Sequence, residues 1–378
     1  MKRLFLLLTI SGLCSLHIYA QNSNDELIKK LVEKNVITQA EADELSKKEE
    51  SKPAVSATQK VREAFNTPYM RFGGYGLVWS RYTQYSDIHH NTSIRAAFIS
   101  MTGQINNFKY FLLSDFATPT IHEFWGEWSP SKTFAIRGGQ MKTTNSLENQ
   151  ISLSDIETIL NTRSVSSLIG MNDDVLKQGS GVNNGGRDVG VMAYGKLIGQ
   201  GDHDLIQYAA GIYQGTGLNT NENNKYKDFS GSLMLNPIKE FRIGGSVYFG
   251  QAVYKPLTET VAASHVRNRW MLSSDYQSEK IYARAEWIHG NDGGIQKEGL
   301  YGTAVYYILP KKLGVVGKVD YFNNNKDTNS EVIDYTAGIN YYFFKNCGFQ
   351  LNYVYSDYSM VWGARNTNAV QAQMKVVF

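Results

Sequence analysis

The last eleven residues, NAVQAQMKVVF from Asn368 to Phe378, alternate strictly and stop on an aromatic carboxyl terminus. In an extended strand Val370, Ala372, Met374, Val376 and Phe378 share one face, and Gln371, Gln373, Lys375 and Val377 share the other. The first face suits hydrocarbon and the second suits water. Roughly ten residues of such alternation is the length of a tilted strand crossing a bilayer. Inside hydrocarbon every backbone N–H and C=O must be paired, so strands cross only as a closed barrel with no free edge. Taken alone, the pattern also fits an amphipathic strand of a soluble sheet. The rest of the chain decides between them.

At the other end, Lys2 and Arg3 precede an apolar run over residues 4–16 and small Ala20 follows, which predicts a secretory signal peptide over 1–20. The run is too short to span a membrane as a helix. Cys14 lies inside it behind Leu13 rather than a small residue, which argues against a lipid attachment site. Cleavage leaves Cys347 as the one cysteine of the mature chain, so no intramolecular disulfide is expected even in an oxidising compartment. Past the signal no stretch reaches the ~18 consecutive apolar residues of a transmembrane helix, so a membrane protein here must be a barrel. The formal charge of +3 falls to +1 without Lys2 and Arg3, and nothing in that balance points to nucleic acid. Tyrosine is the commonest aromatic type, at 24 residues, as expected where rings must line two membrane interfaces.

Residues 24–48 differ in kind. Leu27, Ile28, Leu31 and Val32 recur at helical spacing, and Thr38 stands three residues before Glu41 in a capping-box pattern that starts a second helix through Leu45. A helical hairpin this small cannot bury its own apolar stripe. It self-associates as a small coiled coil, or it is an unstructured arm. The charged, Ser/Ala-rich stretch over 49–68, with Pro53, reads as a linker.

From 69 to 378 about sixteen strand-like segments follow, near 70–81, 92–103, 108–116, 122–129, 133–141, 187–197, 204–214, 229–236, 241–250, 267–277, 281–290, 299–309, 313–322, 332–343, 347–356 and 368–378. Their joins alternate. TQYSDIHHN, TGLNTNENNKYKD, KPLTETVAASHV, NDGGIQKEG, NNNKDTNSE and SDYSMVWGARNTN read as long polar loops, and INN, PSK, NPIKE, QSEK, PKK and FKN as short turns. An up-and-down barrel produces this pattern, with turns at the periplasmic rim and loops outside. One outer join departs from it, since only about 117–121 separates the third and fourth segments. The predicted fold is therefore all-β, an antiparallel transmembrane β-barrel of about sixteen strands behind a short N-terminal helical hairpin. The connection over about 142–186 is far longer than closing two neighbouring strands requires, so it is disordered or has a role of its own. Apolar residues in SLENQISLSDIETILNTRSVSSLIG argue that it folds into the barrel and constricts the lumen, while its Gly- and Asn-rich end reads as a flexible return.

Three stretches carry a family resemblance. RGGQMKTTNSLENQISLSDIETILNTRSV resembles the fifth strand and constriction loop of the phosphate-selective porin O/P family. YAAGIYQGTGLN resembles its seventh-strand motif, and LIKKLVEKNVITQAEADEL its helical amino terminus. A final strand ending in Phe is also similar to the assembly signal of bacterial outer-membrane barrels. The resemblance implies a sixteen-stranded trimeric channel in the outer membrane of a Gram-negative bacterium. Its implied partners are membrane lipid and small ions such as phosphate. In the best-studied branch anions move along a ladder of pore-lining arginines, which this sequence does not reproduce residue by residue.

Candidate pore residues come from alternation. With Phe378 facing lipid, Lys375 faces the lumen; with Trp270, Leu272 and Tyr276 outward, Arg267 and Arg269 face inward; with Ala283, Ala285 and Trp287 outward, Arg284 faces inward. Arg137 and Lys318 follow by the same logic. Arg95 lies on a strand whose two faces are similarly apolar. Arg163, on the long connection, is the loop cation expected at the constriction. Glu123, Glu127, Glu286 and Asp320 also point inward, so the lumen is mixed: cations favour anions, and cations opposite acids order water across the pore. Each basic residue reads equally as solvated wall or as the partner of a nearby acid.

Other chemistry has little support. His89 and His90 form a loop pair, while His122, His203, His265 and His289 are scattered without metal spacing and read as surface residues. Asp173, Asp174 and Asp292 lack a full calcium ligand set. The glycines of GGYG and RGGQ read as bulges or close packing against aromatics. A barrel phospholipase needs a serine and a histidine brought together, and nothing here does so. No cofactor, metal or enzymatic step is expected. The leading reading is passive diffusion of small hydrophilic solutes, anions including phosphate among them; the alternative is a surface adhesin or receptor barrel with a plugged lumen.

Overall fold

The computed structural model describes residues 30–34, 36–42, 66–67, 69–170, 172–180, 185–200, 203–256, 259–344 and 347–378. The expected signal peptide and most of the expected linker lie outside them. Of the expected helical hairpin, 30–33 and 39–42 are helical, and Thr38 and Glu41 cap each other, Thr38 N–H donating to Glu41 Oε2 at 2.8 Å and Glu41 N–H to Thr38 Oγ1 at 3.3 Å.

Period-two alternation builds sixteen antiparallel strands into one closed barrel, each paired with its sequence neighbours. They are β1 (Arg71–Thr83), β2 (His90–Ile105), β3 (Phe108–Asp115), β4 (Thr120–Trp128), β5 (Ala135–Lys142), β6 (Arg187–Gln200), β7 (His203–Tyr213) and β8 (Asp228–Ile238). The second half runs β9 (Phe241–Tyr254), β10 (Ala263–Gln277), β11 (Ile281–Asp292), β12 (Ile295–Leu309), β13 (Leu313–Asn323), β14 (Glu331–Phe344), β15 (Cys347–Tyr358) and β16 (Thr367–Val377). The burial order is inverted relative to a water-soluble sheet. Val370, Met374 and Val376 are exposed on the outer face of β16, and Gln371, Gln373 and Lys375 are buried on the inner face. The same reversal recurs on β10, where Leu272 is exposed beside buried Arg269 and Met271. Apolar outside and polar inside is the ordering a bilayer imposes.

Closure joins the two ends of the barrel. β1 pairs with β16 from Tyr75↔Val377 to Thr83↔Ala369, and the terminal residue extends the ladder, with reciprocal Gly74–Phe378 backbone hydrogen bonds of 3.0 Å. A Cβ at Gly74 would lie 2.7 Å from the Phe378 ring, so this glycine of the GGYG motif is what lets the terminal aromatic seat at the seam.

Two outer joins are short. The β3–β4 join occupies 116–119, close to the expectation. NDGGIQKEG, expected as a long loop, is instead a hairpin: Asp292 pairs with Ile295, and only Gly293 and Gly294 turn, with φ of 59° and 98°. Two consecutive left-handed residues are what a tight hairpin demands and what only glycines supply cheaply. The polar residues after them belong to β12, whose first residues, IQKEG, are polar enough to resemble a loop. His122 corrects a second expectation: it is buried, edge-on to Phe98 at 4.7 Å. His289 is likewise no free surface residue, since it sits between Trp270 and Trp287.

Candidate functional site

The connection between β5 and β6 folds inside the barrel. Its described residues form three short helices, α1 (Leu147–Gln150), α2 (Arg163–Leu168) and α3 (Asp174–Ser180). Val165, Leu168 and Ile169 pack on Met271, Ile288, Tyr301, Phe322 and Val332 of the barrel wall, forming an apolar cluster. Val175 and Leu176 of α3 pack on Ala252 and Tyr254. Burying these apolar side chains against the wall removes them from the water of the lumen, which favours the infolded loop.

A helix of one or two turns leaves nearly all its terminal N–H and C=O groups unpaired, and the wall supplies their partners. At α1, Glu286 accepts from Leu147 N–H at 2.7 Å, Glu148 N–H at 3.1 Å and the Ser146 hydroxyl at 2.7 Å, as well as from Ser273 and Tyr301 hydroxyls at 2.6 Å. At α2, Asp320 accepts from the Arg163 N–H and, at 3.0 Å, from the Ser164 hydroxyl. The far end of α2 is met by cations: Leu168 C=O accepts from Arg269 Nε at 2.9 Å and from Arg267 at 3.3 Å. Acids at helix starts and guanidiniums at a helix end also match the sense of the helix dipole. Ahead of α3, Asp173 accepts from Val175 and Leu176 N–H and pairs with Arg267 at 2.6 Å.

The candidate cations all face inward, with different company. Arg267, Arg269, Arg284, Lys318 and Lys375 are buried beneath the loop. Arg269 pairs with Asp292 at 2.6 Å, and Arg284 pairs with Glu157 at 2.8 Å and Glu148 at 3.2 Å. Lys318 donates to Thr158 Oγ1 at 3.0 Å and Leu160 C=O at 2.9 Å, and Lys375 to Ser154 C=O at 2.5 Å. Arg137 stands apart on the wall, paired with Glu127 at 2.6 Å and stacked 3.8 Å from the Trp125 ring. Arg163 reaches from α2 to the neighbouring strand β14, where its Nε and Nη2 donate to Asp334, the cross-strand partner of Asp320, at 2.8 and 2.9 Å. Burial works against the Arg163 charge, and the Asp334 hydrogen bonds outweigh it, leaving its pKa above the ordinary value. The acids weighed for calcium are closed around by cations: Lys297 lies 2.6 Å from Asp174 and 3.0 Å from Asp292. Among the described residues no cluster of His, Cys, Asp and Glu is placed to hold a metal.

Between the loop and the β1, β2 and β13–β16 walls an open cavity of about 680 Å³ remains. Arg81, Arg95, Arg163 and Lys318 line it, against Asp320 and Asp334. Alternation assigned Arg95 only weakly and missed Arg81 altogether. The signal for Arg81 existed in LVWSRYT: with Val78, Ser80 and Tyr82 outward, Leu77, Trp79 and Arg81 are inward. Arg95 projects where a bulge shifts the β1–β2 register and lies 5.5 Å over Trp79. Among the described residues neither arginine is ion-paired.

A closed barrel of sixteen strands with an apolar exterior, a polar lumen and an infolded third loop defines an outer-membrane porin. The model of the family described as phosphate-selective porin O and P matches residues 73–378, and the chain belongs to that family. It resides in the outer membrane of a Gram-negative bacterium and acts as a passive channel, in a family of channels rather than enzymes. Solved structures share the fold at low identity. The anion-selective porin from Comamonas acidovorans has a TM-score of 0.60 at 11% identity, over 82% of this chain and 99% of that one. OmpT of Vibrio cholerae in its trimer form has a TM-score of 0.59 at 10% identity, over 82% and 99%. The channel DcaP of Acinetobacter baumannii has 0.56 at 12% identity, over 82% and 97%. No curated protein sequence matches the chain.

Proposed function

We propose that this porin passes small hydrophilic solutes with a modest preference for anions, phosphate among them. The observation that carries the reading is the lining of the open cavity, where Arg81 and Arg95 face the solute path without carboxylate partners while both nearby acids are engaged by the loop. A cation without a counter-ion in a narrow, partly desolvated passage attracts anions more strongly than the same charge at a wide mouth. On this reading the loop over 142–186 sets the width of the passage. Arg163 and Lys318 contribute charge at its edge, Arg137 lines the lumen away from the loop, and Arg267, Arg269, Arg284 and Lys375 hold the loop in place. The molecule assembles as a homotrimer, in keeping with the trimer form of the structurally similar OmpT of Vibrio cholerae. Residues 1–20 serve as a cleaved signal, 24–48 as a helical association segment and 49–68 as a linker to the barrel over 69–378. The test is the reversal potential of the purified full chain in a planar bilayer under a potassium chloride gradient. An anion-selective sign is expected; a cation-selective one overturns the preference and leaves a general porin.

A further inference from the structure

The outer face of β10–β15 is grooved. One line of directly paired residues crosses these six strands: Tyr276, Ala283, Ala304, Gly317, Ala337 and Tyr353. The four middle members are small and the two end members are tyrosines, so a groove of about 710 Å³ lies between two aromatic walls. Strands lie roughly 4.8 Å apart, and four small positions in a row leave room for hydrocarbon chains side by side. The barrel itself does not call for the two glycines of the floor. Gly302 and Gly317 sit inside strands, and a Cβ at either would meet no atom within 4 Å. Glycine weakens a strand, and where no neighbour within the fold excludes a side chain it marks a close approach from outside.

The rim beside the groove says what approaches. The periplasmic turns that join the groove strands carry Lys280, between β10 and β11, and Lys311 and Lys312, between β12 and β13. All three are exposed, and among the described residues none is ion-paired. Tyr307 N–H donates to Lys280 C=O at 2.8 Å, which holds the first turn against β12 just ahead of the second. Glu279 is the one acid in these two turns, and the neighbouring β8–β9 turn, with Lys239 and Glu240, adds no net charge. At ~3.4 Å per residue Ala283 lies roughly 10 Å from Lys280 along β11, and Gly317 roughly 17 Å from Lys312 along β13, so the groove occupies the periplasmic half of a ~30 Å hydrocarbon core. A cationic rim joined to an apolar groove complements an amphiphile with a negative headgroup. We propose that this face binds an anionic phospholipid of the periplasmic leaflet, its chains between Tyr276 and Tyr353 and its phosphate at Lys280, Lys311 and Lys312.

The test is native mass spectrometry of the purified full chain in detergent, titrated with phosphatidylglycerol or with phosphatidylethanolamine of the same acyl chains. Phosphatidylglycerol should be retained about tenfold more tightly or better, since each lysine at a membrane surface favours an anionic headgroup by roughly fivefold. Lys280→Gln, Lys311→Asn and Lys312→Gln together should remove that preference; asparagine suits position 311, where φ is 57°. Ala304→Leu with Gly317→Leu fills the groove and should weaken both lipids alike. Equal retention of the two lipids by the unmutated protein overturns the site. So does a preference that survives the lysine substitutions, or retention that survives the filled groove. Dissociation of the oligomer in the filled-groove variant would put a second copy of the chain in the groove and overturn the lipid reading. The lysines stand on exposed turns, so their variant decides even where the leucine pair fails to assemble.

Discussion

Two stretches of the same barrel wall carry arginines on their inner faces and put them to opposite uses. On β10 and β11, Arg267, Arg269 and Arg284 are buried, each held by a carboxylate of the loop or of the wall beside it. On β1 and β2, Arg81 and Arg95 line the open cavity, and among the described residues neither is ion-paired. Residue type and side-chain direction are alike. What differs is where the third loop lies. A wall arginine is fastened where the loop brings Glu148, Glu157 or Asp173 to it, and is left without an ion-pair partner where the loop leaves a gap. The loop thus assigns roles to residues far from it in sequence.

The largest effect expected from breaking this division is on the fastened side. Arg284→Gln leaves Glu148 and Glu157 buried without a cation, and removing one partner of a buried pair costs about 3–5 kcal/mol. The loop should loosen from the wall. Protease sensitivity within 143–186 and a noisier, larger single-channel conductance would report it. A variant with unmutated conductance and loop resistance would mean that the apolar cluster around Leu168 holds the loop by itself.

Accessibility gives the next contrast, on a Cys347→Ser background. Cysteine in place of Thr83, which lines the open cavity, should react rapidly with a charged water-soluble thiol reagent. In place of Ser273, which is 6% exposed beneath α1, it should react slowly, although it too faces inward. In place of Met374 it should be shielded by lipid. Equal rates at 83 and 273 would put the loop elsewhere. Fast reaction at 374 would mean a one-residue slip of β16, which turns every side chain over.

Selectivity is a smaller effect. Arg81→Gln removes an uncompensated charge from the passage, so the reversal potential should move toward zero at low salt and converge with the unmutated channel at ~1 M salt, where the Debye length is ~3 Å. No movement at low salt would take Arg81 out of the solute path.

The strands and their faces were legible because a bilayer outside and water inside impose period two on nearly every strand, as in NAVQAQMKVVF. Six of the candidate cations, Arg137, Arg267, Arg269, Arg284, Lys318 and Lys375, were assigned to the lumen side by that rule, and Arg163 by its place on the long connection. Their roles were not legible, because each role depends on a contact over a long sequence separation: Glu157 reaches Arg284, Asp173 reaches Arg267, and Asp334 reaches Arg163. Alternation reports direction and carries no information about distance between elements. Arg81 was missed for a different reason, since it stands at the outer end of β1, where strand and loop compositions merge. The same merging disguised the Gly293–Gly294 hairpin, whose polar flanks are strand residues.

The smallest expected effect is the sharpest test of the comparison. Arg163 lines the open cavity, yet its charge is matched by Asp334 through two hydrogen bonds of 2.8 and 2.9 Å, so the pair presents little net field to a passing ion. Arg163→Ala alone uncovers Asp334 and should shift the reversal potential toward cation preference, in the same direction as Arg81→Gln. The double substitution Arg163→Ala with Asp334→Asn removes both charges and should restore a value close to the unmutated channel. Among the described residues no acid is ion-paired with Arg81 to compensate in that way. If the double variant instead stays as far from the unmutated value as Arg163→Ala, then Arg163 acts on solute directly and not through its balance with Asp334, and the line between fastened and open arginines must be redrawn to place it with Arg81 and Arg95.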